Sequence, residues 1–245
     1  MFTSILIIIT GYLTATLSGL FGMGGGVLLM GVLGSFYSVG VAMILHGFIQ
    51  AISNSSRAFF LRKSIKWNII PFYGCGALVA VVMGSFFFWV PRKSTIFLVM
   101  GFFPFMSFLF YKANLNLNMM KKGHSFFCGI LVMTIQLLAG ASGPTLDIFY
   151  NRSSLNRQEI VATKAFTQAF GHIVKLLFYI KAINVIELKE NFPMAIVPFM
   201  FLVTLIGTYT GKKLLTRVTD IQFKEWGQKL LLSVGMLFLY RGFFS

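Results

Sequence analysis

Eight apolar runs divide this chain, at 2–36, 39–60, 67–90, 94–111, 125–150, 159–181, 193–211 and 226–244. They are long enough to cross the roughly 30 Å hydrocarbon core of a bilayer. The polar gaps between them reach only about a dozen residues, too few for a soluble domain. Composition agrees: 57% of residues are hydrophobic and 11% charged, against about 25% charged in soluble domains. We therefore expect an all-α, polytopic integral membrane protein, multi-pass in the plasma membrane, with the lipid bilayer as its constant partner. The first run lacks the basic start of a signal peptide, and its apolar character continues past Gly26, so it belongs to the fold.

The net charge of +15 does not point to nucleic acid. Most Lys and Arg fall in short loops between apolar runs, as membrane orientation requires, and no basic stripe alternates with aromatics. Cys75 and Cys128 stand alone in different runs and read as small core residues. Three scattered histidines without a His/Cys cluster argue against a bound metal, and no cofactor is expected.

Displacing the chain by 118 residues aligns 20–67 with 138–185 without a gap, and 11 of the 48 pairs are identical. Chance at this composition gives about four. Two repeats follow, 1–118 and 119–245, forming one transport domain. "GMGGG" at 22–26 matches "GASGP" at 140–144, and each interrupts the first apolar run of its half. Paired interruptions at matching places in two halves are the best sequence pointer to a transporter binding site.

The same register exposes a second pair. His46, Gln50, Asn54 and Arg57 in the second run match Lys164, Gln168, His172 and Lys175 in the sixth. Their spacing places each set on one narrow stripe of an apolar helix. Ionisable groups do not face lipid cheaply, so each stripe must face protein or a watery cavity. The plainer reading has Arg57 and Lys175 snorkelling while the other residues stitch helices together. That explains one stripe more easily than two in register.

A helix break inside a membrane exposes a new N-terminus with free N–H groups and partial positive charge. Gly24, Gly25 and Gly26 would let backbone approach a ligand. "SGPT" reads as a helix start, with Ser142 or Thr145 as caps and Pro144 near the first helical position. With Ser142 and Gly143 from the second break, and Arg57, Lys164 and Lys175 from the stripes, these features form a candidate cradle for a small anion. The alternative is that the glycines only permit close helix packing. Asp147, just past the second break, has three readings: a cap, a partner for a nearby Lys, or a coupling group that carries a proton.

Loop charge bears on orientation. If all eight runs cross, loop Lys and Arg divide 9 to 8 between the two faces; if runs one and five dip in and return, the division becomes 12 to 5. The positive-inside rule favours the second arrangement. It inverts the halves, puts loops 61–66, 112–124, 151–158 and 212–225 in the cytoplasm, and leaves both termini outside. The first run of each repeat is thus expected to be broken or re-entrant.

Two stretches carry a family resemblance: "SGLFGMGGGVLLMGVL" at 18–33 and "LAGASGPTLDIFYNRSSLNRQEIVATKAFTQAFGHIVKL" at 138–176. They resemble the sulfite exporter (TauE/SafE-type) permeases, with Gly31 standing where such sequences often carry proline. The resemblance implies a secondary carrier of sulfur-containing or organic anions, such as sulfite or C2 sulfonates, without naming which one. We expect an ion-coupled transporter using protons or another ion; the sequence leaves room for a homo-oligomer. The competing class is a membrane assembly or interaction protein, which would not need matched stripes. No nucleophile–base pair supports an enzyme.

Overall fold

A computed structural model of the chain describes residues 2–22, 24–86, 91–113, 117–150, 153–183 and 191–244. Met23 in the first break, the end of the 67–90 run, and parts of loops 112–124 and 151–158 lie outside the described residues. The described residues contain ten α-helices. The first half supplies α1 (Phe2–Phe21), α2 (Gly25–Phe36), α3 (Val39–Phe60), α4 (Ile70–Phe86) and α5 (Lys93–Lys112). The second supplies α6 (Lys122–Ala139), α7 (Gly143–Tyr150), α8 (Arg157–Ala182), α9 (Val197–Leu215) and α10 (Asp220–Phe244).

The 118-residue register reappears in helix starts. α2 begins at Gly25 and α7 at Gly143; α3 begins at Val39 and α8 at Arg157. The N-caps of that second pair match too. Ser38 accepts from the Val41 N–H at 3.4 Å, while Asn156 forms a capping box with Glu159, both bonds at 3.0 Å. Each cap satisfies N–H groups that the first turn leaves without an acceptor.

The chain reverses at both breaks. A straight helix would separate Thr14 from Gly25 by about 16 Å, yet a Cβ on Gly25 would fall 1.9 Å from the Thr14 carbonyl oxygen. In the second half, the Phe127 and Phe149 rings lie 6.4 Å apart across 22 residues. The Met119 N–H also donates to the Phe149 carbonyl at 3.0 Å. α2 therefore folds back on α1, and α7 on α6.

The halves interlock. α1 packs along α9 of the other half, while its counterpart α6 packs along α4; α3 pairs with α8, and α5 with α10. The crossings use glycine to bring backbones together, as membrane helices do. Gly19 meets Gly211 between α1 and α9, and Gly76 and Gly129 face carbonyls across α4 and α6. Gly31 also has a packing account: a Cβ there would fall 2.1 Å from the Phe238 ring, so α10 leans on bare backbone of an unbroken α2.

Polarity is arranged for lipid. Ile9, Leu13, Val82, Met83, Leu202 and Ile206 are exposed, while His46, Gln50, Arg57, Lys164 and Lys175 are buried. In water such an exterior would aggregate; in a bilayer it is the required outer surface. Among the described residues, four helical stretches are long and apolar enough to cross: Thr3–Phe21, Lys93–Phe110, Lys122–Ala139 and Met194–Leu215. The expectation for Cys75 needs correcting. Cys128 is buried, but Cys75 is exposed on α4, where lipid solvates a thiol as readily as a core does.

Candidate functional site

Backbone conformation locates the breaks. Gly22, Gly24 and Gly140 have φ of 66°, 78° and 78°, a region that a side chain makes costly. Gly22 and Gly140 are repeat equivalents. Gly25 is different from what its place in the glycine run suggested. It begins α2 in helical register, and its missing side chain is accounted for by the α1 backbone.

Both breaks border one small cavity of about 20 Å³, room for about one water. Gly22, Gly24 and Gly26 line it from the first half; Ala141, Ser142 and Gly143 line it from the second. The stripes contribute Gln50, Gln168 and His172. The N-termini of α2 and α7 therefore meet at the cavity wall. Their first-turn N–H groups lack intrahelical acceptors, and both dipoles favour negative charge there.

The opposite ends created by the breaks are also matched. Arg57 donates to the Ser18 carbonyl in the last turn of α1, and Lys175 donates at 2.9 Å to the carbonyl of Gly140, the C-cap of α6. Each stripe cation thus meets a carbonyl where the first helix of its own half ends; that of Ser18 also accepts the Gly22 N–H at 2.8 Å. Arg57 also donates to Asn54 Oδ1, and Asn54 in turn donates to the Gln50 carbonyl at 2.8 Å. Arg57 Nε and Gln50 Nε2 are buried without a partner among the described residues.

The stripes also touch one another. Lys175 Nζ lies 2.5 Å from His46 Nδ1, and His46 Nε2 lies 2.7 Å from the Gly26 carbonyl oxygen. Lysine carries only donors, so His46 is neutral at Nδ1 and donates from Nε2 to Gly26. The His46 and His172 rings meet edge to face at 5.3 Å. His46 and Lys175 thereby tie α3, α8 and both breaks into one buried network.

Lys164, one of the three cations expected in the cradle, has an acidic partner. It is ion-paired with Asp147, and both are buried. Of the three readings of Asp147, the pairing with a nearby Lys is present in the structure. Its second oxygen, Oδ2, has no partner among the described residues. The caps proposed for α7 are absent as well. Ser142 donates to Gln136 Oε1 at 2.6 Å, and the Thr145 hydroxyl is unpaired among the described residues.

Two participants lie outside the sequence-based set, Ser18 and Gln136. Ser18 lines the cavity and its carbonyl receives Arg57. Gln136 Nε2 lies 2.7 Å from His172 Nδ1 and donates at 3.3 Å to the Gly140 carbonyl. They are repeat equivalents, 118 residues apart. A polar residue one turn before each break was the available signal.

The model of the sulfite exporter TauE/SafE family matches residues 7–238, from within α1 to near the end of α10. The chain belongs to the sulfite exporter TauE/SafE family. It is accordingly a membrane transporter, and its buried polar network is that of a TauE/SafE protein. Comparison with curated proteins and with solved structures gave no match.

Proposed function

We propose that this TauE/SafE protein is a secondary carrier of a small sulfur-containing or organic anion, such as sulfite or a C2 sulfonate, across the plasma membrane. One observation carries the reading: both helix breaks, and residues of both polar stripes, converge on one small cavity. Two helix N-termini supply N–H groups and positive potential for an anion. Of the stripe residues Gln50, Gln168 and His172 line the cavity and supply directed hydrogen bonds; Arg57, Lys164 and Lys175 do not line it and supply charge from the helices around it. At about 20 Å³ the cavity is too small to hold such an anion. Admitting an anion requires the α2 and α7 tips to part, first toward one face and then the other. That is alternating access around a fixed site. Chain reversal at both breaks favours inverted halves, with loops 61–66 and 212–225 cytoplasmic, in keeping with the 12-to-5 charge division. Coupling to protons or another ion completes the proposal.

The test is flux in proteoliposomes with sulfite, sulfoacetate, taurine and thiosulfate. Saturable exchange of at least one anion is expected, with competition among the accepted ones. Absence of flux for the whole panel, from protein that remains folded, would falsify the transport reading.

A further inference from the structure

The Lys164–Asp147 pair has a feature that the fold does not need. Its repeat equivalents in the first half are His46 and Leu29, both fully buried. That half builds the same α2–α3 arrangement without a carboxylate. A buried ion pair carries a desolvation penalty that can exceed its attraction, so packing alone gives no reason for one here. The asymmetry lies beside the site. Gly143 and Gln168 line the cavity; Asp147 is one turn after Gly143 on α7, and Lys164 one turn before Gln168 on α8. A turn is about 5.4 Å, within reach of a flexible lysine stem.

We propose that this pair couples anion binding to uptake of one proton. The inference rests on the transport reading above and names its coupling ion. An anion in the cavity draws the Lys164 ammonium away from Asp147. The carboxylate is then left with both oxygens unpaired in a buried site, where its charge is too costly to keep. Asp147 takes a proton, and anion and proton cross together. On release Lys164 returns, and the proton leaves from the same carboxylate. The titratable neighbours are Lys164 on α8, Cys128 on α6, Tyr73 on α4 and Tyr150 on α7 itself, with Arg57 on α3 facing Lys164. α5 also packs on α7, but its Lys93 and Lys112 are exposed at its ends. Asp147 is the one carboxylate in this set.

Calorimetric titration of the purified wild-type protein with thiosulfate, repeated in buffers of different ionisation enthalpy, counts protons directly. Thiosulfate and isethionate serve as probes because neither takes up a proton near neutral pH, whereas sulfite does. About one proton should enter per anion bound, and Kd should tighten up to about tenfold per unit fall in pH. Asp147→Asn should bind without proton uptake and with a flat pH profile. Proton uptake that persists in Asp147→Asn overturns the proposal. So does anion binding by the wild type without proton uptake, a count that stands even if the variant does not fold. That second result leaves the transport reading intact, whereas wild-type protein that neither binds nor exchanges any anion of the flux panel removes the transport reading itself.

Discussion

Gly25→Ala separates the packing role of the first break from its binding role. The new Cβ would lie 1.9 Å from the Thr14 carbonyl oxygen and 2.4 Å from Ser18 Oγ, where ordinary contact starts near 3.4 Å. Backbone cannot rotate away as a side-chain tip can, so α2 must move about 1.5 Å from α1. Overpacking of this kind costs about 3 kcal/mol, the upper end of the usual range. For a chain of this size that corresponds to a fall in melting temperature on the order of 10 °C. The same movement stretches the 2.7 Å contact between His46 and the Gly26 carbonyl, so transport falls with stability. Gly26→Ala is the control. The nearest atoms to its Cβ are at the end of the Gln50 side chain, at 3.3 Å. It should leave the melting temperature within a few degrees, about 1 kcal/mol in stability, while filling the cavity and weakening anion exchange. The assays are thermal denaturation in detergent and thiosulfate exchange in proteoliposomes. A Gly25→Ala protein that melts and transports like the wild type would refute the close-packed hairpin.

Three further outcomes are expected. Lys164→Ala and Lys175→Ala should each abolish transport while the protein is still made. The first strands the Asp147 charge, and the second removes the donor to His46 and Gly140; normal transport by both would end the cradle proposal. Single cysteines placed at Lys122 and Lys213, in a background without Cys75 and Cys128, should both label from the cytoplasm. Labelling from opposite faces would restore eight full crossings. Tyr179→Phe, which deletes a buried 2.9 Å hydrogen bond to the Leu137 carbonyl, should cost about 1–3 kcal/mol with anion affinity kept, as measured by chemical denaturation and binding.

Local pattern accounts for what was legible in the sequence. Membrane class follows from apolar run length, and helix breaks from glycine and proline content. The two stripes follow from a period of 3.6, and the repeat from identities such as Gly22 with Gly140 and Gln50 with Gln168. All of these are properties of one segment, or of two compared in register. Periodicity states which residues share a face; it does not state what the face meets. That Lys164 pairs with Asp147 was decided by how α7 folds back beside α8. Which glycines took positive φ depended on where the chain reverses: Gly22, Gly24 and Gly140 turn, while Gly25 packs. Cys75 turned outward because α4 meets α6 through Gly76 and Tyr73 on its other face. Contacts between distant segments are set by the joint fit of many helices, and no single segment contains that information.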